Sequence, residues 1–361
     1  MIFRRLKLPL LFGITLAASV QAQESLPQID ATGTVSAPAA RFPFSVFASK
    51  EALARFGEIF KEGKAAPPLG QDIQASRTFY DKINSDRAER MKKLYPVEIA
   101  ARKFGGVAAE VVTPKGGVAP RNAQRVLINL HGDAFLWGAG SGGMVEAIPI
   151  ASVGKIKVVT VDYRQGPEHA FPAASEDVEK VYRELLKTHR AQDIGIYGCS
   201  AGGALTAEAT AWLQTRNLPV PGAIGIFCAG VVDFNGDSAY TAHLLMGETV
   251  PVRFFPLTRL PYFKGADPAS PLVLPGVSSS VLAKFPPTLL VSGSRDFTMS
   301  ATLRSNELLT EAGVKTELHV WEGMWHSFFS DPELPESKAM YAVVAHFFDR
   351  ELGGAGADRK H

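Results

Sequence analysis

The stretch that decides the fold is residues 194–213, which read IGIYGCSAGGALTAEATAWL. The first four residues form a short apolar run that predicts a buried strand, and the residues from Ala201 onwards have the apolar spacing of a helix. Between them, the segment from Gly198 to Gly202 matches the pattern G-x-S-x-G. Its glycines permit a sharp strand-to-helix turn that pushes the hydroxyl of Ser200 outwards, beside the free N–H groups of the helix N-terminus. We therefore predict a reactive serine at this turn.

The chain from about residue 96 onwards repeats this alternation of short apolar runs and helical patterns. Strands that are buried on both faces and alternate with helices predict a mostly parallel sheet with helices on both sides, an α/β fold. Residues 231–281 break the alternation with six prolines and no clear period, so we expect a long loop or a lid over the sheet there. Eight strand candidates lie at residues 97–104, 107–113, 125–130, 157–161, 194–198, 223–228, 288–292 and 317–321.

The composition is that of a globular protein, with 46% hydrophobic and 20% charged residues in a chain of 361. Lys and Arg number 38 against 36 Asp and Glu, and three of the basic residues lie within the first 22 positions. The remaining chain has no basic excess, which argues against a nucleic-acid or membrane-surface partner. Two cysteines, Cys199 and Cys228, are too few for a disulfide scaffold. We expect either two buried thiols or one disulfide.

The first 22 residues have the organisation of a secretory signal peptide. Positive charge at Arg4, Arg5 and Lys7 precedes an apolar run, and small residues at the end of that run predict cleavage after Ala22. The run is only about 13 residues long, whereas a membrane-spanning helix needs about 20. We expect an exported protein, periplasmic or secreted, with no stable membrane insertion after cleavage.

The mature chain divides into three predicted parts. Residues 23–45 are rich in Ala, Pro, Ser and Thr, and we expect them to be a poorly ordered lead-in. Residues 46–95 contain two predicted helices, the first starting after Ser49 as an N-cap and the second running from Ile73 to Leu94. Residues 96–355 form the predicted catalytic domain. The sequence shows no internal repeats and no cluster with metal-ligand spacing, and we expect neither a metal nor a cofactor.

A serine hydroxyl is a weak nucleophile and needs a base and an orienting acid, which in this architecture follow it in the order acid then histidine. Asp296 comes shortly after the strand candidate at 288–292, and His326 comes shortly after the one at 317–321. The carboxyl ends of parallel strands open on a common crevice. We therefore predict Ser200 as nucleophile, His326 as general base and Asp296 as the acid that orients it.

Acyl transfer also requires N–H donors for the negative oxygen that forms in the transition state. The backbone N–H of Ala201, directly after the nucleophile, is the first candidate. The loop His131-Gly132-Asp133-Ala134-Phe135 follows the strand candidate at 125–130 and resembles the HGGG-type loop of esterases. We expect His131 itself to brace this loop rather than to act as a base.

These motifs resemble the hormone-sensitive-lipase-type family of α/β-hydrolase esterases, over about residues 95–350. The resemblance implies an α/β-hydrolase fold, with an eight-stranded, mostly parallel sheet flanked by helices. It also implies an α-helical cap, to which residues 46–95 and part of 231–265 contribute. The matching segments are His131 to Phe135, Asp162-Tyr163-Arg164 with Pro167-Glu168-His169, Phe171-Pro172-Ala173 and Asp177, Gly198 to Gly203, Asp267-Pro268 with Ser270-Pro271, and Gly323-Met324 with His326 and Phe328.

Carried over to this chain, the family pattern implies that Asp133 and Ala134 donate their backbone N–H groups to the oxyanion together with Ala201. Asp133 is a departure, because the family commonly has glycine at this position. We predict that its side chain points away from the hole, that its φ is positive, and that backbone N–H groups or a basic partner hold it. Asp162, Arg164 and Glu168 are interpreted as a buried structural charge network.

The function predicted from these observations is that of an exported serine carboxylic-ester hydrolase. It acts on small, short-acyl esters through an acyl-enzyme intermediate. Two alternatives stay open: an amide or lactone hydrolase or exopeptidase with the same triad, and a non-catalytic small-molecule-binding relative. The partner is a small-molecule ester, nucleic acid is not expected, and the oligomeric state is open, a homodimer included.

Overall fold

The structure, a computed structural model, describes residues 28–31, 33–36, 41–67, 72–251 and 256–353. The chain forms two units, Met1–Pro43 and Phe44–His361. In the first unit, β1 (Gln28–Ile29) pairs with β2 (Val35–Ser36) in an antiparallel hairpin. The predicted signal peptide over residues 1–22 lies outside the described residues.

The second unit contains the sheet that the alternation of strands and helices predicts. Five neighbouring strand pairs are parallel, and only the pairs at one edge, which involve the first two strands of the sheet, are antiparallel. In the described part of the unit the strands are β3 (Val97–Phe104), β4 (Val107–Pro114), β5 (Val126–Leu130), β6 (Lys157–Val161), β7 (Ile194–Cys199), β8 (Ala223–Phe227), β9 (Thr288–Arg295) and β10 (Thr316–Trp325). They lie in the order β10-β9-β8-β7-β5-β6-β4-β3, which confirms the predicted fold class.

Helices cover both faces of this sheet. Among the described residues they are α1 (Lys50–Ala65), α2 (Ile73–Leu94), α3 (Ser141–Gly154), α4 (Ala173–Leu185), α5 (Ala201–Thr215), α6 (Ser238–Leu245), α7 (Ser279–Leu282), α8 (Met299–Glu311) and α9 (Pro335–Glu351). One apolar core joins the sheet to α4, α5 and α8, and the other joins it to α3 and α9. No helix within the described ranges has the length and apolarity to span a bilayer.

The N-terminal helices α1 and α2 are anchored to the segment that follows His326. The hydroxyl of Ser49 caps α1 by accepting the N–H of Ala52 at 3.0 Å. The buried carboxylate of Asp331 then binds Arg55 of α1 at 2.9 Å and Arg90 of α2 at 3.5 Å. These ion pairs fix both helices near the candidate site. The irregular segment after residue 231 contains α6 and short 3-10 helices as well as loop.

The charged residues after β6 do not form the single buried network that we expected. Asp162 accepts the backbone N–H of Gly140, whereas Arg164 binds Asp177 at 2.8 Å. Glu168 is half exposed and binds Arg77 of α2. The interpretation was wrong because the three side chains reach three different elements, although each contact is structural.

Candidate active site

Ser200 lies at the sharp turn between β7 and α5. Its backbone angles, φ 56° and ψ −120°, are strained for a residue other than glycine. The turn packs directly on the end of β5. A Cβ on Gly198 would lie 2.2 Å from the carbonyl oxygen of Leu130, and one on Gly202 would lie 1.8 Å from the same atom. Both flanking positions therefore require glycine, and the turn presents Ser200 at the carboxyl edge of the sheet.

Asp296 and His326 form a hydrogen-bonded pair beside this turn. The Nδ1 atom of His326 lies 2.7 Å from Oδ1 of Asp296. Asp296 is fully buried, and it also accepts hydrogen bonds from the backbone N–H of Thr298 (2.9 Å), the Thr298 hydroxyl (2.8 Å) and the Ser292 hydroxyl (3.0 Å). Burial by itself raises the pKa of Asp296, but the charge and hydrogen bond of His326, with those of Thr298, outweigh it and hold the pKa below its usual value.

The structure brings all three sequence-predicted residues of the triad together. Ser200 and His326 line one cavity of about 540 Å³, and Asp296 lies behind the imidazole. Among the described residues, no hydrogen bond joins the Ser200 hydroxyl to His326. Such contacts are often long in free enzymes and tighten when substrate binds. The arrangement is suited to proton transfer between the hydroxyl and the imidazole.

The loop at residues 131–134 presents backbone N–H groups next to Ser200. Asp133 (φ 73°) and Ala134 (φ 57°) both have left-handed backbone conformations. The N–H of Gly132 is occupied, because Oε1 of Glu146 accepts it at 3.0 Å. The N–H groups of Asp133, Ala134 and Ala201 have no acceptor within the described part of the chain, so they are available to a substrate oxygen.

The side chain of Asp133 turns towards the N-terminal helices. Its Oδ2 atom accepts a hydrogen bond from Nδ2 of Asn84 in α2 at 2.7 Å. The same Oδ2 atom packs against two glycines: a Cβ would lie 2.5 Å from this oxygen on Gly138 and 3.1 Å from it on Gly142. We expected backbone N–H groups or a basic residue to hold this side chain, and that prediction was wrong. Its partner is the neutral amide of Asn84, from which a buried carboxyl group can accept a hydrogen bond without a counter-charge. Burial raises the pKa of Asp133, against the opposing effect of the Asn84 hydrogen bond.

Two cavities of different character meet at Ser200. One, of about 340 Å³, is apolar and is lined by Ala134, Phe234, Ala239, Leu257, Leu260 and Phe297 among others. The other is the larger cavity that contains His326. We call it the polar cavity because it is the more polar of the two, with Tyr80, Asn84 and Arg87 of α2 and His243 and Glu248 among its lining residues. Ser200 therefore lies between an apolar cavity and a more polar one that opens beside the base.

The two cysteines are buried free thiols, which settles the alternative left open by the sequence. Cys199 Sγ lies 2.9 Å from the hydroxyl of Ser327, and the Ser327 N–H donates to Cys228 Sγ at 3.4 Å. Cys228, Asp296 and His326 also bring one possible metal-ligand atom each within 4.8 Å of one another. Asp296 and His326 already bind each other through a hydrogen bond, so the group serves proton transfer better than metal binding.

Two residues at the site were missed by sequence reasoning. Asn84 lies on the polar side of an ordinary amphipathic helix, and nothing in the sequence marks it. Glu146 is different, because it is the only charged residue in the otherwise apolar helix α3. That isolation was the signal that could have found it. His131 is buried, stacks on Tyr163 with ring centroids 4.3 Å apart, and its burial lowers its pKa to about 4.

Comparisons with known proteins identify the family of this chain. A family model described as an alpha/beta hydrolase fold matches residues 127–330. A crystal structure of an esterase superposes with a TM-score of 0.76 at 31% identity, covering 88% of this chain and 98% of the other. A crystal structure of an esterase from the bacterial hormone-sensitive lipase family gives 0.73 at 26% identity, covering 85% and 100%. The chain belongs to the hormone-sensitive-lipase-type family of α/β-hydrolase esterases.

Relatives of this esterase are named for the same chemistry. An esterase of Acinetobacter venetianus is 26% identical over 267 residues, which are 72% of this chain and 86% of the relative. An acetyl-hydrolase of Streptomyces hygroscopicus is 26% identical over 258 residues, which are 69% and 82% of the two chains. Family membership makes the chain a serine hydrolase of the carboxylesterase class.

Proposed function

We propose that this esterase hydrolyses small, short-acyl carboxylic esters through an acyl-enzyme formed on Ser200, and that it does so after export from the cytoplasm. The observation that carries the proposal is the position of Ser200. It lies between the apolar and the polar cavity, next to the His326–Asp296 pair and beside three N–H groups that have no acceptor among the described residues.

The proposed reaction follows from these positions. His326 takes the proton of the Ser200 hydroxyl while Oγ attacks the ester carbonyl. The N–H groups of Asp133, Ala134 and Ala201 bind the oxyanion of the tetrahedral intermediate. His326 then gives the proton to the leaving alcohol and, in the second half of the reaction, activates the water that releases the acid. No cofactor enters any of these steps.

The location of His326 suggests which cavity holds which part of the substrate. A base that protonates the leaving alcohol must lie beside it, and His326 lines the polar cavity. The acyl group then occupies the apolar cavity on the other side of Ser200. Its volume of about 340 Å³ lies near the lower end of the range of roughly 300–1,000 Å³ for small-ligand sites. The bulky side chains of Phe234, Leu257 and Leu260 line this cavity, which favours short acyl chains, and one relative is named as an acetyl-hydrolase.

Export is supported by the N-terminal sequence. Arg4, Arg5 and Lys7 before an apolar run that ends in small residues are typical of a signal peptide cleaved after Ala22. Cell fractionation, with mass measurement of the recovered N-terminus, tests it. A mature chain that begins at Gln23 outside the cytoplasm supports export, and full-length protein in the cytoplasm contradicts it.

Hydrolysis of p-nitrophenyl esters with acyl chains of two to twelve carbons tests the catalytic proposal, with Ser200→Ala as the control. We expect kcat/KM to be highest for the shortest chains and to disappear in the control. A p-nitroanilide series with the same acyl groups tests the amide alternative. Rates that rise with chain length contradict the short-acyl assignment, and faster cleavage of anilides than of esters contradicts the esterase assignment.

A further inference from the structure

A buried glutamate connects α3 to the loop that presents the oxyanion donors. Oε1 of Glu146 accepts the N–H of Gly132 at 3.0 Å, and Oε2 accepts Nδ2 of Asn129 at 3.0 Å. Asn129 is itself held by the hydroxyl of Thr160 at 2.8 Å. The backbone of Cys199, directly before the nucleophile, also stabilises the charged form of Glu146. One carboxyl group therefore interacts with both segments that form the predicted oxyanion hole.

The loop that Glu146 holds is strained and needs an anchor. Asp133, Ala134 and Phe135 are three consecutive non-glycine residues with positive φ, a conformation that costs free energy and persists only where the surroundings enforce it. Gly132 directly precedes this run. A Cβ on Gly132 would lie only 3.1 Å from the carbonyl oxygen of Cys199, so the loop is packed against the nucleophile turn at the point where Glu146 binds it.

We infer that Glu146 is a positioning residue for ester hydrolysis: by binding the N–H of Gly132, it holds the oxyanion loop so that the N–H groups of Asp133 and Ala134 face the substrate oxygen. This inference rests on the proposed function. Glu146 touches no reacting atom in it. Its contribution comes through the loop, and loss of the anchor should slow the chemical step while leaving substrate binding nearly unchanged.

The protonation of Glu146 gives the inference a second observable. Burial raises the pKa of Glu146 to about 8, against the hydrogen bonds of Asn129 and Gly132. The carboxyl group is therefore mostly neutral at pH 7 and becomes charged above pH 8. Among the described residues, the titratable and charged groups that face it are Asp133 on the oxyanion loop, Cys199 and Tyr197 on β7, Tyr163 after β6, Tyr341 on α9 and, across the shared cavity, Tyr80 and Arg87 on α2, His243, Glu248 and His326.

A charge at this position opposes the oxyanion. A Cβ on Gly132 would lie 3.6 Å from Cβ of Ser200 and 3.7 Å from Oε1 of Glu146, which places the carboxyl within about 7 Å of the nucleophile's Cβ. If the carboxylate and the oxyanion formed on Ser200 are taken as about 7 Å apart as well, their repulsion at an effective dielectric near 20 slows the reaction roughly 50-fold. Activity of the wild-type enzyme should therefore fall above pH 8 as Glu146 ionises.

The test compares Glu146→Met, Glu146→Gln and the wild-type enzyme with p-nitrophenyl acetate between pH 6 and pH 10, corrected for spontaneous hydrolysis. Glu208→Met is the matched control, because Glu208 of α5 is also a fully buried acid but makes no hydrogen bond to the oxyanion loop. Thermal unfolding of each variant separates effects on folding from effects on turnover.

We expect Glu146→Met to lower kcat about 10²-fold at pH 7, the size of effect seen when one oxyanion donor is lost, with KM changed less than 3-fold. Glu146→Gln keeps an acceptor for Gly132. Asn129 can rotate its amide so that its oxygen accepts a hydrogen bond from the new side-chain NH₂ group. Its own NH₂ group then donates to the Thr160 hydroxyl, which can accept as well as donate. This variant should keep kcat within about 5-fold and lose the decline above pH 8. Glu208→Met should behave as the wild type in both respects.

Two results would overturn the inference. The first is a folded Glu146→Met enzyme with kcat within 3-fold of the wild type. The second is an alkaline decline that persists in Glu146→Gln and disappears in Asp133→Asn, because it assigns the titration to the other buried acid. Failure of the proposed function has a different signature, namely wild-type protein with no ester hydrolysis that depends on Ser200.

Discussion

Replacement of Asp296 by asparagine should cost less than the loss of an orienting acid ordinarily does. Three donors converge on Oδ1 of Asp296: the Nδ1–H of His326, the backbone N–H of Thr298 and the Thr298 hydroxyl. In the part of the chain that the structure describes, Oδ2 accepts one hydrogen bond, from the hydroxyl of Ser292, and this hydroxyl is able to rotate and accept instead. An asparagine amide therefore places its oxygen at the Oδ1 position and its NH₂ group towards Ser292.

This orientation preserves the tautomer of His326 that catalysis needs. The variant then loses only the negative charge that stabilises the imidazolium. With the centres of the two charges taken as about 4 Å apart and an effective dielectric near 20, that charge is worth about 4 kcal/mol, or about 10³-fold in kcat. An amide in the opposite orientation imposes the wrong tautomer, for which the expected loss is about 10⁴-fold.

Two measurements distinguish the orientations. Active-site-titrated Asp296→Asn enzyme should retain at least 10⁻³ of the wild-type kcat on p-nitrophenyl acetate, and its proton NMR spectrum should keep the low-field Nδ1–H resonance of His326. Ser292→Ala in the Asp296→Asn background removes the acceptor of the amide NH₂ and should reduce kcat further. A loss of 10⁴-fold or more in the single variant, together with a missing Nδ1–H signal, would refute the orientation argued here.

Three further predictions concern single side chains. Ser200→Ala and His326→Ala should each remove nearly all turnover, with the double variant scarcely slower than either; additive losses in kcat would contradict a triad. Glu208 is buried with both carboxyl oxygens unpartnered among the described residues, and burial raises its pKa well above the usual value. Its folded-state pKa exceeds its unfolded one, so stability falls as pH rises above the unfolded pKa. Glu208→Met should raise the free energy of unfolding, measured in urea, by about 1–3 kcal/mol at pH 8 and by less at pH 4. An increase that does not depend on pH would refute this cause. Asp133→Asn should change kcat at pH 7 less than about 10-fold, because the carboxyl faces Asn84; a gain near 10³-fold would show that it faces the oxyanion.

The parts of the fold that sequence predicts well are those with a clear period or a strong boundary. The second helix was predicted from Ile73 to Leu94 and has these ends, because its apolar stripe and charged face are regular and Asp72 caps it. Helix α3 was missed. It is apolar on all sides and contains Gly142, Gly143 and Pro149, so it has neither the amphipathic period nor the composition of a typical helix.

The candidate site also combines residues that a sequence pattern predicts with residues that no pattern predicts. Ser200, Asp296 and His326 follow predicted strands in a fixed order, and a parallel sheet brings such positions to one edge whatever the loops between them do. The partners of Asp133 and Gly132 depend on where α2 and α3 cross the sheet. Asn84 lies 49 residues away from Asp133 along the chain, and no local pattern specifies which side chain of α2 reaches it.

In the proposed reaction Ser200 becomes acylated during turnover. Acid quenching of the enzyme in the steady state with p-nitrophenyl acetate, followed by peptide mass mapping, tests it directly. Because Cys199 is adjacent, fragmentation spectra and hydroxylamine sensitivity must separate an ester on Ser200 from a thioester on Cys199. We predict an added acetyl group on Ser200 in the wild-type enzyme and none in Ser200→Ala. An acetyl group on Cys199, or turnover that persists in Ser200→Ala, would contradict the mechanism.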